Sequence, residues 1–379
     1  MEPHPDPDPS LRERRILVLH NRDFEPEGEA SDPGALARID VLNAARDVGR
    51  ALVSRGHFVE VQGIDQRDLG DLLAQLSEDA PDLVFNLCES LNGDAHSETV
   101  VPTLLDLLRV PYTGSGPLTL GLCVRKDLTK HLLHEHGVTT PPGVVLPAAP
   151  RARALDVEAV AAIGYPVIVK LVAEDASVGI TLTSVVDSDE ALLRRVAALR
   201  EQHRQPILVE RYIDGRELYV AMLGDRPPRI LPVQELEYAD WPAGAPRILS
   251  YDTKWDPRAP TYHRTSSQPA RGLPPGVEER AIAMAQRCFE VLEVRDYGRC
   301  DLRVDSDGTP YIIDVNPNCD LADGAGFSRA AQLAGLAYDQ LIERIAFAAL
   351  LRSVHDQSPP SVPPVAPPVH TPSRPPRRP

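Results

Sequence analysis

Apolar residues recur along this chain with two periods, and the switches between them mark its elements. Ile16-Leu17-Val18-Leu19, inside Arg15–His20, is a continuous apolar run that reads as a buried strand. Between Ala35 and Arg55 the positions Val41, Ala44, Ala45, Val48 and Leu52 fall at three- and four-residue spacing, one face of a helix that Gly56 stops. Phe58–Gln62 and Leu83–Leu87 read as strands, Leu69–Leu76 and Glu98–Leu108 as helices. Strands alternating with helices predict a parallel sheet with helices on its faces.

Beyond Pro111-Tyr-Thr-Gly-Ser-Gly116, one helix over 117–137 carries Lys126, Asp127 and Lys130, and Pro141-Pro142 opens a new unit. Pro166–Leu171 reads as a strand, followed by a polar loop, Ala173–Gly179, and another strand. Helix Asp189–Gln202 and strand Ile207–Glu210 come next. After strands and loops to Pro269 come helix Gly276–Leu292, a hairpin and a last helix, Tyr338–Leu351. Residues 1–14 and 354–379 read as disordered tails, Pro- and Asp-rich at one end and Pro- and Arg-rich at the other. The second suits extended polyproline conformations, either as a solvated tail or as a docking peptide for a protein partner.

A formal net charge of −15 disfavours nucleic acid and anionic membranes as partners. It does not exclude ATP, which local lysines, arginines and metal ions can hold. The five cysteines are odd in number and widely spaced, without Cys-x-x-Cys. They read as reduced thiols, neither a disulfide framework nor a zinc site. No apolar run reaches the roughly 18 residues of a membrane span, and Met1–Ser10 does not read as a signal peptide. The expected location is cytoplasmic.

The densest chemistry lies in Tyr297–Asn316. Asp307-Gly308 is a hairpin-turn signal between two alternating strands. A turn centred there sets Asp301 opposite Asp314 and Arg299 opposite Asn316. Residues two apart on a strand share a face, so all four gather on one side. Cross-strand carboxylates repel. Either a Mg²⁺ ion compensates them, or an Arg–Asp pair sits on an exposed face. Lys170 ends the apolar strand Pro166-Val-Ile-Val-Lys170 and reads as an anion ligand or as a strand-end lysine reaching solvent. The small residues of Ala173–Gly179 let backbone N–H groups approach phosphates. Glu210 and Glu217, in Val209–Glu217, could accept from an adenine amine or ribose hydroxyls, or be edge-strand surface charges.

Taken in order, these segments resemble the ATP-grasp superfamily and, within it, the D-alanine–D-alanine ligase group. The resemblance runs from about Arg15 to Leu351. It rests on Pro111-Tyr-Thr-Gly-Ser-Gly116, the Lys126 helix, Gly164-Tyr-Pro-Val-Ile-Val-Lys170, Ala176-Ser-Val-Gly179, Glu210–Glu217, Tyr251-Asp-Thr-Lys254, and Tyr297-Gly-Arg-Cys-Asp301 with Asp314-Val-Asn316. It implies an α/β chain of α+β ATP-grasp type. A Rossmann-like domain would occupy 15–115, an ATP-grasp N-subdomain 116–205 and a C-subdomain with the metal site 206–353, the two subdomains sandwiching ATP.

The cofactors so implied are ATP and Mg²⁺ or Mn²⁺. The partners are amino-acid or short-peptide substrates and, by analogy, a second copy in a homodimer. The resemblance also implies roles by position. Lys126 and Lys170 would bind phosphates, and the loop with Ser177, Val178 and Gly179 would close over them. Glu210, Arg211, Tyr212 and Ile213 would meet adenine, and Glu217 the ribose. Asp301, Asp314 and Asn316 would hold the metal, with Asp314 standing where the family usually has Glu. Lys254 would reach the γ-phosphate from a mobile loop, Arg299 would stabilise the tetrahedral intermediate, and Ser177 joins them in the catalytic set. The implied reaction activates a carboxylate as an acyl phosphate, which an amine then attacks.

The substrate half departs from the resemblance. The family's N-terminal Glu has no counterpart in Ala37-Arg-Ile-Asp-Val41. Its partners, a loop Ser and a Tyr, correspond to Ala176 and Trp255. The family's His-Gly-x-x-Gly-Glu-Asp-Gly segment is replaced by Asn86-Leu-Cys-Glu-Ser-Leu-Asn-Gly-Asp94, and its Ser-Leu pair by Ala325-Gly326. Glu89, Glu98, Arg329 and Trp255 are the candidate replacements. The first expectation is therefore a carboxylate–amine ligase with altered substrates. A genuine D-alanine–D-alanine ligase and a non-catalytic ATP-binding module are the alternatives.

Overall fold

The computed structural model describes residues 13–22, 35–149, 153–174, 177–224, 228–256, 258–262 and 264–356. Most of both expected tails and Ala176 lie outside them, as do the side chains of 37–40. The N-terminal domain contains β1 (Arg15–Asn21), α1 (Ala35–Ser54), β2 (Phe58–Ile64), α2 (Leu69–Glu78), β3 (Leu83–Leu87) and α3 (Val100–Leu108). The strands form a parallel sheet in the order β2-β1-β3. Alternation along β1 serves both faces. Ile16 and Val18 pack with Val48 and Leu52 of α1, while Leu17 and Leu19 pack with Leu72, Leu76, Val101 and Leu105.

The single helix expected over 117–137 is two, α4 (Pro117–Val124) and α5 (Lys126–Glu135). Arg125 leaves helical geometry at φ −90°, ψ 84°. The Lys126 N–H then donates to the Val172 carbonyl at 3.2 Å, so a tertiary hydrogen bond replaces the helical one and starts α5 at Lys126. Next come β4 (Gly143–Leu146), α6 (Arg153–Ala161), β5 (Val167–Leu171), β6 (Val185–Val186), α7 (Asp189–Gln202) and β7 (Ile207–Arg211). They build an antiparallel sheet ordered β4-β7-β5-β6. β7 pairs with β4 and β5, so a subdomain boundary at 205/206 would cut it from its own sheet.

The rest comprises β8 (Arg216–Leu223), β9 (Arg229–Ile230), β10 (Gln234–Tyr238), α8 (Tyr251–Trp255), β11 (Thr265–Pro269), α9 (Val277–Val291), β12 (Tyr297–Val304), β13 (Pro310–Asn316), α10 (Gly326–Leu333) and α11 (Tyr338–Asp356). The larger sheet runs β11-β10-β8-β12-β13, with β9 on β8. Helix α9 covers one face, where Ala281, Ala285, Cys288 and Phe289 join Leu218, Val220, Leu302 and Ile312. Gly215 makes the β7–β8 turn possible: a Cβ there would lie 1.9 Å from the Val304 carbonyl oxygen. Helix α11 shares one core with β1 and α1. Its Leu341, Ile342 and Ile345 pack with residues of the N-terminal domain, and Arg55 Nε donates to Glu343 at 2.7 Å.

The β12–β13 register at the site is the expected one, Arg299 opposite Asn316 and Asp301 opposite Asp314. It is reached by a different route. The connection spans Asp305–Thr309, with the Asp305 carboxylate accepting from the Asp307 and Thr309 N–H groups. Val304 therefore pairs with Pro310, and a bulge beside Asp301 and Leu302 restores the register.

Candidate active site

Alternation along β8 and β12 sends Glu217, Tyr219, Arg299, Asp301 and Arg303 to the face opposite α9. That face and the β5–β7 sheet enclose a cavity of about 180 Å³. Lys126, Lys170, Ser177, Glu210, Arg211, Tyr212, Ile213, Glu217, Lys254, Arg299, Asp301, Asp314 and Asn316 all line it. Of the nucleotide, metal and catalytic candidates, Val178 and Gly179 lie elsewhere, on an adjoining cavity of about 830 Å³. Glu174, Ile180, Lys254, Arg299 and Asn316 border both.

Three ammonium groups meet two carboxylates at the inner wall. The Glu210 carboxylate lies between Lys130, which donates to Oε1, and Lys170, 2.7 Å from Oε2. Lys126 Nζ lies 3.2 Å from Asp314 Oδ2. Burial drives the Lys130 ammonium down to about 7, with Lys170 adding to the effect against the pull of Glu210. Burial opposes the ionisation of Asp314, but Lys126, Lys170 and Lys130 hold its carboxyl below the ordinary value. This surplus of positive charge in a desolvated pocket suits a polyphosphate.

Asp301 faces Asp314 and accepts two hydrogen bonds from Arg299, 2.6 Å from Nε and 2.9 Å from Nη2. Asn316 Nδ2 lies 3.3 Å from Asp301 Oδ2. Burial, with the charges of Asp314 and Glu217, keeps the Asp301 carboxyl above its usual value despite Arg299. Two carboxylates and a carboxamide on adjacent strands make an oxygen-only donor set, the kind that suits Mg²⁺ shared with substrate phosphates. Among the described residues no three His, Cys, Asp or Glu side chains gather to hold a metal.

Two loops form the outer wall. Ser177 Oγ donates to the Leu249 carbonyl at 2.9 Å, and the Tyr251 N–H donates to the Ile180 carbonyl at 2.9 Å. Lys254, expected on a loop, sits on the one-turn helix α8, its Nζ 4.5 Å from the Trp255 ring centre. In the larger cavity Glu89, Glu98, Trp255 and Asn318 line the wall. Arg329 does not reach it; its Nη1 donates to the Gly324 carbonyl on the exposed side of α10.

Three contributors escaped the sequence reading. Arg303 bonds Glu217 at 2.8 Å and the Ile213 carbonyl at 3.0 Å; it lies two residues past Asp301, where alternation could have found it. Lys130, one helical turn after Lys126, shares its face. Asn318 lies beyond the end of β13, where no periodicity applies.

The D-ala D-ala ligase C-terminus family matches residues 132–346, more than half of the chain. A D-alanine–D-alanine ligase of Desulforudis audaxviator is 33% identical over 306 residues, covering 80% of this chain and 92% of that one. The chain belongs to the D-alanine–D-alanine ligase family. Membership of this ATP-grasp family makes it an ATP- and Mg²⁺-dependent carboxylate–amine ligase. An uncharacterized protein of Sinorhizobium fredii is 30% identical over 332 residues, 86% of this chain and 91% of its own length. The D-alanine–D-alanine ligase of Bacillus anthracis shares the fold, with a TM-score of 0.71 at 21% identity over 90% of this chain and 99% of that one. The same enzyme complexed with ATP gives 0.68. No helix among the described residues is long and apolar enough to cross a membrane.

Proposed function

We propose that this D-alanine–D-alanine ligase family member joins a substrate pair other than two D-alanines. One observation supports the reading most: the smaller cavity, lined by most of the nucleotide candidates, adjoins a larger cavity whose lining departs from the family's pattern. Glu89, Glu98, Trp255 and Asn318 stand there, while the positions matching the family's N-terminal Glu and Ser-Leu carry other residues.

In this reading Lys126 and Lys170 hold the triphosphate, Lys130 backs Glu210, and Tyr212 and Ile213 border the base. Glu210 keeps two of the lysines in place, and Glu217, fixed by Arg303, faces the ribose. Asp301, Asp314 and Asn316 would hold Mg²⁺. When bound, that ion neutralises phosphate charge and orients the transferred group.

The donor carboxylate attacks the γ-phosphorus, ADP leaves, and an acyl phosphate forms. The amine attacks the acyl carbon, and Arg299, on the border of both cavities, donates to the oxyanion that develops. Collapse expels inorganic phosphate and leaves the amide. The Ser177–Leu249 and Tyr251–Ile180 contacts join the two outer loops, which limits water's access to the acyl phosphate.

The test is a phosphate-release assay with ATP and Mg²⁺, first with D-alanine alone and then with a panel of amino acids and short peptides, with product masses recorded. Turnover is expected with a pair from the panel. Robust formation of D-alanyl-D-alanine would refute the proposal.

A further inference from the structure

Arg299 is held along its edge by a carboxylate and against its face by an aromatic ring. In the pairing of β8 with β12, Tyr219 stands opposite Asp301 and Ala221 opposite Arg299. The small side chain of Ala221 leaves the guanidinium room to lean diagonally, where a long side chain can reach a ring on the next strand. Its Cζ lies 4.6 Å from the centre of the Tyr219 ring. Asp301 meets the same guanidinium at Nε and Nη2. Such a fork fixes the group within its own plane but leaves the pair free to tip out of it. A ring against the face blocks that tilt. With Nε and Nη2 committed to Asp301, Nη1 remains for an oxyanion.

The hydroxyl end of Tyr219 reaches the nucleotide side. Its Oη donates to Glu217 Oε1 at 3.1 Å. Arg303 and Tyr238 both donate to the other oxygen, Oε2. Tyr219 lines the smaller cavity and is only 8% exposed. Burial, with the charges of Glu217 and Asp301, pushes its phenol well above the ordinary value, so the hydroxyl stays a donor. We propose that Tyr219 is a positioning residue with two roles: its ring sets the plane of Arg299 for the attack of the amine, and its hydroxyl sets Glu217 toward the nucleotide. One side chain thereby ties the group facing the ribose to the group facing the acyl carbon. This inference rests on the acyl-phosphate ligase reading above.

Two assays separate the roles. Titration with a non-hydrolysable ATP analogue and Mg²⁺ reads the nucleotide site. Hydroxylamine, which captures an acyl phosphate as a hydroxamate and releases inorganic phosphate, reads amine attack with a panel of amino-acid donors and without knowledge of the natural acceptor. Tyr219→Phe keeps the ring and loses the hydroxyl. It should weaken binding of the analogue about 10-fold and lower kcat for hydroxamate by no more than about three-fold. Tyr219→Leu loses both. It should weaken the analogue by the same factor and lower kcat about 10- to 100-fold. Tyr219→Met repeats the ring-free case should the leucine variant not fold, with circular dichroism reporting the fold of each. Equal falls in kcat for the phenylalanine and ring-free variants, or no fall in the latter, would overturn the role of the ring. Unchanged analogue affinity in Tyr219→Phe would overturn that of the hydroxyl. In either case hydroxamate formation by the wild type leaves the ligase reading standing. No hydroxamate from the wild type with any donor would overturn both.

Discussion

Removing Arg303 should cost far more than removing Arg303 and the charge of Glu217 together. Arg303 and Glu217 are paired at 2.8 Å, with side chains only 5% and 8% exposed. Arg303 also donates to the Ile213 carbonyl and to Tyr212 Oη, at 3.0 and 3.2 Å. In Arg303→Met, Glu217 would keep the Tyr219 and Tyr238 hydroxyls, at 3.1 and 3.2 Å. Taking one partner from a buried ion pair typically costs about 3–5 kcal/mol, a large share of a total of about 5–15 kcal/mol. Adding Glu217→Gln removes the stranded charge and keeps an acceptor oxygen for one tyrosine hydroxyl, while the other faces the amide NH2 and must turn to accept from it. The double variant should therefore recover about 2–3 kcal/mol relative to Arg303→Met. Urea unfolding of the four proteins measures this, with a common slope confirming that the unfolded states are comparable. Additivity of the two substitutions within about 0.5 kcal/mol would refute the coupling.

Asp301→Asn should preserve the circular dichroism spectrum and lower phosphate release by about 10²–10³-fold; unchanged turnover would remove the hairpin from the mechanism. Lys130 links stability to pH. Its folded value, about 7, lies below its unfolded value of 10.5, so between the two the unfolded chain binds more protons and stability rises with pH. The urea midpoint of the wild type should climb from pH 7 to pH 9 more steeply than that of Lys130→Met, in which Lys170 still pairs with Glu210. Parallel pH profiles would contradict this account of the cluster.

What could be read locally was read well. Period-two alternation and a turn signal put Asp301 opposite Asp314, and the structure keeps that pairing through a bulge no sequence pattern announced. The parallel pairing of β1 with β2 and β3 followed from strands alternating with helices. The break at Arg125 was invisible, because its cause is the Val172 carbonyl on another element.

The sequence by itself determined the elements, the faces their side chains share and the inventory of lysines and carboxylates, since these follow from backbone periodicity and residue chemistry within short windows. Tertiary structure alone decided which charges meet. Glu210 finds Lys130 from 80 positions away, and Asn318 finds Glu98 from 220. Such contacts depend on how two sheets and a domain pack against each other, and desolvation there, rather than local pattern, shifts Lys130 down and Asp301 up.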